Sequence, residues 1–391
     1  MAVRKIRREG LIDLAIIGGG PSGTAAALEA RRNGMRVAIW ERDHFPRDKV
    51  CGEFLSAESL PLLQEEIPTA LELGAPIRRS EFISSFGRVD SFDLPQPGRG
   101  LSRLVLDQAM WNAATAAGAQ AREGDVVSRL RRLDPSVEKG AAWELESADG
   151  TLIRASALLV ACGRWWAIEG YPSPARQQNN GAMGQGMGAK AHYAGLAQRD
   201  AVEMYYFPGG YCGLAPIEKG LYNACCLVHR SLVRDGGASG FDDFASWLKN
   251  VARHPALEAR LRGATQVSAT ISTAPLRPAR RCADHDGTLL AGDAAGFLDP
   301  FTGDGISMAL HSGRLAASVM AGAWSRMGVD THLVACAYRR RLGTAVRRSY
   351  VVAGLLRALV RAPHTIQFSA AAALPWLGAR LLRETRWRAT A

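Results

Sequence analysis

Leu14-Ala15-Ile16-Ile17-Gly18-Gly19-Gly20-Pro21-Ser22-Gly23 is an apolar run that ends in a glycine turn, and an alanine-rich segment follows it as far as Gly34. The pattern predicts a strand, a turn, a helix and then a second strand over Arg36 to Trp40 that ends in Glu41. Gly18, Gly20 and Gly23 are spaced so that backbone can approach a pyrophosphate and helix can pack on strand, with Pro21 and Ser22 at the helix start. Glu41 lies 21 residues after Gly20, where a carboxylate can accept from a ribose diol. A dinucleotide-binding βαβ unit is expected to open the fold.

A second run names the dinucleotide. Leu289 to Ile306 reads LLAGDAAGFLDPFTGDGI. Asp293, after Gly292 and an apolar strand, suits a ribityl hydroxyl. Beyond Pro300, Gly303-Asp304-Gly305 opens a helix at Ile306 whose first peptide N–H groups are unpaired and partly positive. An anionic reduced isoalloxazine is the ligand such a helix start suits, so FAD is expected rather than a nicotinamide.

With 47% hydrophobic and 22% charged residues the chain reads as an ordinary globular enzyme of two to three domains, not as a disordered or fibrous one. Seven scattered cysteines without a C-x-x-C pair point to a reduced, cytoplasmic setting. The basic start is interrupted by Asp13 and three glycines and reads as a lead into the first strand, not a signal peptide. Residues 331–391 hold eleven arginines against the one acid Glu384, so nearly all of the net charge of +11 sits there. The uncharged run Ala362 to Ala379 contains Pro363 and Pro375, which argues against a spanning helix.

Between the two motifs, Ser102 to Gly118 has helical spacing. Arg103 at its start is placed to reach a phosphate while Asp107 holds the arginine; a surface ion pair is the plainer alternative. Val126 to Leu133 and Trp143 to Ile153 read as strands, Leu158 to Ala161 as a buried strand, and the stretch to about 280 as a separate sheet. From about 306 onward the chain reads as helical.

Together these features resemble the FAD-dependent para-hydroxybenzoate-hydroxylase-like superfamily, which includes aromatic hydroxylases, flavin-dependent halogenases and geranylgeranyl reductases. The resemblance implies an α/β fold: a three-layer Rossmann-like FAD domain (1–75, 101–165, 281–330), an inserted antiparallel β-sheet substrate domain (76–100, 166–280) and C-terminal helices in a basic region (331–391). Phe45 to Glu53 is similar to the K-x-C-G segment of the geranylgeranyl reductases, which passes the flavin, and puts Lys49, Cys51 and Gly52 at the cofactor. The resemblance adds Arg42 and Val126 to the cofactor contacts. Gly210 to Pro216 looks like the reductases' G-Y-x-W-x-F-P strand, with Gly213 and Ala215 where that pattern has large aromatics, so the resemblance implies a substrate that is bulkier near the flavin or different altogether.

Two departures bear on the reaction. Ala161-Cys162-Gly163-Arg164-Trp165-Trp166 stands where hydroxylases carry D-G-x-x-S. Gly163, Trp166 and Ile168 match part of the halogenase tryptophan motif, but Arg164 and Glu169 break it, and Arg78 and Arg79 stand where its lysine would be sought.

Cys51 is the one catalytic candidate, against the plainer reading of a packed thiol. His192 and His311 read as structural. Trp165, Trp166, Tyr205, Tyr206, Phe207 and Tyr211, with Gly213 and Ala215, form the candidate wall for a hydrophobic substrate. No metal cluster is expected, and nucleic acid binding is not expected. The arginine-bearing segments around Leu355 to Arg361 and Trp376 to Arg386 suit either packing on the FAD domain or the inner face of an anionic membrane.

The expectation is an FAD-dependent oxidoreductase, its flavin reduced by NADPH, NADH or a separate flavin reductase. It would oxygenate an aromatic or polyketide-like intermediate through a flavin hydroperoxide. Reduction of isoprenoid double bonds is the alternative; halogenation and a non-enzymatic flavin-binding interaction protein rank below both.

Overall fold

The computed structural model of the chain describes residues 10–85, 87–134, 140–164, 166–171, 186–229, 231–232, 244–276, 279–280, 284–285, 287–297, 303–324, 331–360 and 386–387. Two large sheets organise them, beside a two-stranded ribbon of β16 (Ala279–Arg280) and β19 (Gly296–Phe297). The first contains β1 (Ile12–Ile17), β2 (Val37–Glu41), β6 (Gln120–Glu123), β7 (Val127–Arg132), β8 (Trp143–Ser147), β9 (Leu152–Val160), β17 (Asp284–His285) and β18 (Thr288–Leu290). The second contains β3 (Phe54–Leu55), β4 (Ala75–Ile83), β5 (Val89–Gly100), β10 (Gly186–Ala194), β11 (Ala201–Phe207), β12 (Gly210–Pro216), β13 (Tyr222–His229), β14 (Thr265–Gln266) and β15 (Ile271–Leu276).

In the first sheet β18, β9, β1, β2 and β6 run parallel in that order, and β8 and β7 join β9 antiparallel. All six residues of β1 and all five of β2 are buried, the signature of a strand covered on both faces. One cover is helical: α1 (Pro21–Arg32), α4 (Arg103–Ala116), α7 (Gly305–Trp324) and α8 (Thr331–Val360), with the short α2 (Leu60–Glu66) and α3 (Pro68–Glu72) nearby. The other is the β7–β8 hairpin, whose Leu130, Trp143 and Leu145 share the core and whose Ser147 Oγ accepts from Trp40 Nε1 at 3.0 Å.

The second sheet is antiparallel except between β4 and β11, which pair parallel. Strands from both sides of the α4 segment build it, so it is an insertion in sequence and one unit in space. Helices α5 (Phe244–Ala252) and α6 (Pro255–Leu261) cover one of its faces over a separate core that includes Tyr193, Cys212, Leu214, Tyr222 and Phe244.

The parallel order aligns strand ends. Ala161 N donates to Ile17 O at 2.7 Å, Ala291 N to Val160 O at 3.1 Å and Gly18 N to Trp40 O at 2.8 Å. Gly18, Glu41, Ala161 and Gly292 therefore emerge at one edge, the position where α/β sheets bind nucleotides.

Candidate functional site

The first glycine motif is tight where it must be and open where a ligand approaches. A Cβ on Gly23 would lie 1.8 Å from Gly18 O, and one on Gly18, whose φ is +111°, would lie 2.5 Å from Ala161 O. At Gly20, which begins α1, the nearest atoms to an added Cβ are the Nη2 groups of Arg47 at 3.8 Å and Arg103 at 4.0 Å. No side chain caps this helix start and no acid lies in its first turn. Two guanidinium groups and a helix N-terminus thus converge on one spot, an arrangement for a diphosphate.

Asp107, fully buried, grips Arg103 through two contacts of 2.7 Å. Burial opposes the charge on Arg103, but Asp107 more than offsets it and holds the group above the usual arginine range. Arg47 pairs with Glu41 through Nη2 at 3.0 Å and with Asp107 through Nη1 at 3.2 Å, while its buried Nε lacks a hydrogen-bond acceptor among the described residues. Ser22 Oγ is likewise buried without a hydrogen-bond partner among the described residues. These orphaned groups fit the diphosphate of FAD. Glu41, read as a ribose ligand, also closes the loop on itself: Oε2 accepts from Gly19 N at 2.9 Å and Oε1 from Asp43 N at 3.1 Å.

The segment after β2 crosses from the first sheet to the second. Arg42 points outward beside Asp43, and Lys49 pairs with Asp43 at 2.5 Å instead of meeting the arginine cluster. Val126 lies 44% exposed at the head of β7. Cys51 is half-buried; its carbonyl accepts from Asn223 Nδ2 at 2.9 Å, and burial pushes its thiol up despite nearby Arg103, so it is neutral at pH 7. Nothing approaches within 4 Å of a Cβ on Gly52.

Glu53 then anchors the segment. It is fully buried at φ +57°, contacts Lys190 Nζ and His192 Nε2 (2.7 Å) of β10, and accepts from Arg103 N at 2.7 Å. Burial works against its charged form, yet His192 and Lys190 outweigh this and hold the carboxyl below the usual carboxylate range. Lys190 is held above the usual lysine range by Glu53 and Asp48 against its own burial. Asp48, Glu53 and His192 could together hold a metal ion, but the Lys190 ammonium already bridges the two carboxylates and supplies the positive charge.

The second motif docks on the first. Gly292, at φ +61°, donates to Ser312 Oγ at 2.8 Å, and its Cβ position lies 3.0 Å from Ser22 Cβ. Asp293 pairs with Arg164 at 3.5 Å. Arg164 in turn lies over the Phe297 ring at 4.4 Å, reaches Thr273 of β15 at 3.4 Å and keeps a buried Nη1 without a hydrogen-bond partner among the described residues. Gly303 takes φ +63°, Asp304 is fully buried, an added Cβ on Gly305 would meet nothing, and Ile306 enters the core. Pro300 and Trp165 lie outside the described residues.

The candidate substrate wall is corrected by strand parity. Tyr205 and Phe207 project into the helix-covered core, where Tyr205 donates to Glu203 at 2.7 Å and meets His254 edge-on; neither can line a wall on the opposite face. Their neighbour Tyr206 takes that opposite face and stacks on Phe82, which stacks on Phe92. Tyr206 also meets Tyr211, centroids 6.1 Å apart. Gly213 and Ala215 alternate with Tyr211 along β12 on this same face. So do Lys190, His192 and Gly188, whose added Cβ would touch Val50 at 3.0 Å. The aromatic ladder and the Cys51 segment therefore share one face. Trp166 packs against the first core instead. Arg78 and Arg79 are exposed and paired with Asp200, remote from the cluster.

Arg47, Glu53, Lys190 and the bridging role of Arg164 were not singled out in the sequence. Lys190 and His192 did leave a signal: two charged or ionisable residues two apart in the otherwise small and apolar run Gly-Ala-Lys-Ala-His-Tyr-Ala.

Known proteins agree with this architecture. Residues 13–46 match the family model described as FAD dependent oxidoreductase. The chain is 28% identical over 81% of its length to conditioned medium factor receptor 1 of Dictyostelium discoideum, of which the match spans 64%. It is 28% identical over 87% of its length to digeranylgeranylglycerophospholipid reductase of Methanoculleus marisnigri, covering 85% of that protein. The solved structure of the flavin-dependent brominase Bmp2 superposes over 96% of this chain and 93% of its own, at a TM-score of 0.76 and 20% identity.

Proposed function

We propose that this chain, an FAD-dependent oxidoreductase, inserts oxygen into an electron-rich aromatic or polyketide-type substrate that carries an acidic phenol or enol. Arg164 carries the reading. A buried guanidinium N–H with no acceptor is costly unless a ligand completes it. Arg164 stands between the second cofactor motif at Asp293 and the substrate sheet at Thr273. A phenolate oxygen suits this donor, and binding the substrate as its anion raises electron density on the ring carbon to be attacked. The Phe92, Phe82, Tyr206 and Tyr211 ladder suits a flat apolar body, and Gly213 and Ala215 leave it room.

Reduced FAD supplies the two electrons and activates oxygen. Arg47 and Arg103 would bind the diphosphate at Gly20, and the unpaired amides at the start of α7 would face negative charge. One O2, two electrons and two protons yield hydroxylated product and water, the electrons coming from NADPH or NADH directly or through a separate flavin reductase. Contact of residues 331–391 with an anionic membrane surface at the cytoplasmic face would bring the enzyme to lipophilic substrate; co-sedimentation with anionic vesicles tests it.

The main test reduces the flavoprotein without oxygen, adds a panel of phenols and prenyl lipids, and then admits oxygen. Oxygenated product that forms only after oxygen enters, with Arg164→Gln raising KM for the phenol, is the expected result. Reoxidation of the flavin by substrate before oxygen enters would overturn it in favour of double-bond reduction. Two observations favour that second reading: the name of the archaeal relative, and the neutral Cys51 thiol, which could protonate the carbon beside the one that accepts hydride.

A further inference from the structure

Asp304 sits in the glycine pair that opens α7, yet its carboxylate has a partner from far along the chain. Arg386 Nη1 reaches Asp304 Oδ1 at 3.3 Å, 82 residues away in sequence, and Ser56 Oγ donates to the same oxygen at 3.2 Å. Arg386 also faces Glu58 at 3.8 Å and lies over the Phe54 ring at 5.7 Å. The Phe54 ring lies 3.3 Å from the position of a Cβ added to Gly303. Next door, Trp387 stacks on His311 of α7, centroids 5.2 Å apart and planes 11° from parallel, while His311 donates through Nε2 to Glu58 O at 2.9 Å. Arg386 is only 9% exposed and Asp304 not at all.

We propose that Arg386 and Trp387 form a clasp behind the flavin site, in which Arg386 is a positioning residue that neutralises Asp304 and fixes the Gly303–Gly305 turn. The inference rests on the FAD assignment and is independent of which reaction the flavin performs. Three observations support a role beyond simple packing. Asp304 Oδ2 is buried without a hydrogen-bond partner among the described residues, so the carboxylate depends on few contacts there. Burial pushes Asp304 up to about 6 even with Arg386 and Ser56 beside it, so the charge is held at neutral pH by a narrow margin. The clasp also grips Phe54, which directly follows the Glu53 anchor, and so ties both cofactor-facing segments to a single guanidinium.

Electrostatics gives the clasp a sign. Without Arg386 the Asp304 carboxyl takes up a proton more readily, and at a pH where it stays ionised it is an uncompensated negative charge at the helix start that must accept negative charge when flavin is reduced, which disfavours the reduced form. Without the Asp304 charge, Arg386 keeps only the longer contact to Glu58 and the helix start becomes more positive than in the parent, which favours the reduced form.

The test compares full-length holoprotein with Arg386→Gln, Arg386→Lys, Asp304→Asn and Trp387→Ala, reading FAD dissociation by flavin fluorescence and the midpoint potential by dye equilibration. Arg386→Gln should bind FAD about tenfold more weakly, the order lost when an outer orienting partner is removed, and, read at alkaline pH where Asp304 stays ionised, lower the potential. Arg386→Lys should restore most of both, Asp304→Asn should raise the potential, and Trp387→Ala should weaken FAD binding without moving it. Unchanged potentials, or shifts of one sign in both Arg386→Gln and Asp304→Asn, would overturn the proposal. If Arg386→Gln does not fold, the rise in Asp304→Asn decides alone. Failure of wild-type protein to retain FAD would instead strike at the cofactor assignment.

Discussion

The two sheets bury their strands in opposite ways. Every residue of β1 is buried, whereas β11 alternates strictly between buried and half-buried positions. A strand covered on both faces has only its end to offer a ligand, so the first sheet works through glycine turns at its carboxyl edge. A strand covered on one face offers the other, so the second sheet would meet a ligand through Tyr206, Tyr211 and Gly213. The glycines of the two regions should thus tolerate change very differently, and the charges that join the sheets should tolerate it least.

Glu53 is that joint. Glu53→Gln leaves Lys190 facing only Asp48 and should cost about 3 kcal/mol by urea denaturation, the low end for a broken buried pair. Combining it with Lys190→Met should recover part of the loss, since the unpaired ammonium goes too. The pH dependence follows from the signs. Glu53 is held below its ordinary 4.5, so its contribution is complete above pH 4.5 and is lost as pH falls through the depressed value. Lys190 is held above its ordinary 10.5, so its share is complete below pH 10.5 and is lost as pH rises through the raised value. Stability of Glu53→Gln should fall less steeply below pH 4.5 than that of the parent. An equal acid slope would mean that the carboxylate is not what joins the sheets.

Gly23→Ala attacks the first sheet at its edge. The added methyl would have to displace Gly18 O from 1.8 Å, which should cost about 2 kcal/mol by overpacking and empty the site of flavin. A variant that purifies yellow, with an unchanged denaturation midpoint, would break the reading that the turn leaves no room.

The same contrast explains what could be read from the chain. Gly18, Gly20, Gly23 and Gly292 were legible because their spacing encodes local backbone geometry, and apolar runs marked β1, β2, β9 and β18 as strands, whereas their order is set by pairing between distant segments. Arg47, Glu53, Lys190 and Arg386 were not, because each acquires meaning from a partner between 6 and 142 residues away. The aromatic wall failed for a narrower reason. Composition marked Tyr205, Tyr206 and Phe207 alike, while the pleat sends the first and last of them to the opposite face from the middle one. Tyr205→Phe should accordingly cost about 1 kcal/mol through its lost bond to Glu203 and leave substrate KM unchanged. Tyr206→Ala should raise KM severalfold, and a reversed pattern would invert the assignment of faces.

Gly213 supplies the smallest effect on stability and the finest test of the open face. An added Cβ would lie 3.3 Å from Met204 Sδ and 3.7 Å from Cys225 O. The first is the far end of a flexible side chain and can swing aside, so Gly213→Ala should change stability by no more than about 0.5 kcal/mol. Its consequence should appear in ligand shape, because the methyl enters the space that the absence of a side chain leaves beside Tyr211. With a series of phenols of growing girth, Gly213→Ala should leave KM for the slimmest unchanged and raise it progressively for the bulkier ones, and Gly213→Val should move that limit to smaller ligands. Equal KM changes across the series would mean that Gly213 shapes only the strand, and the ligand face would then have to be sought nearer Arg164.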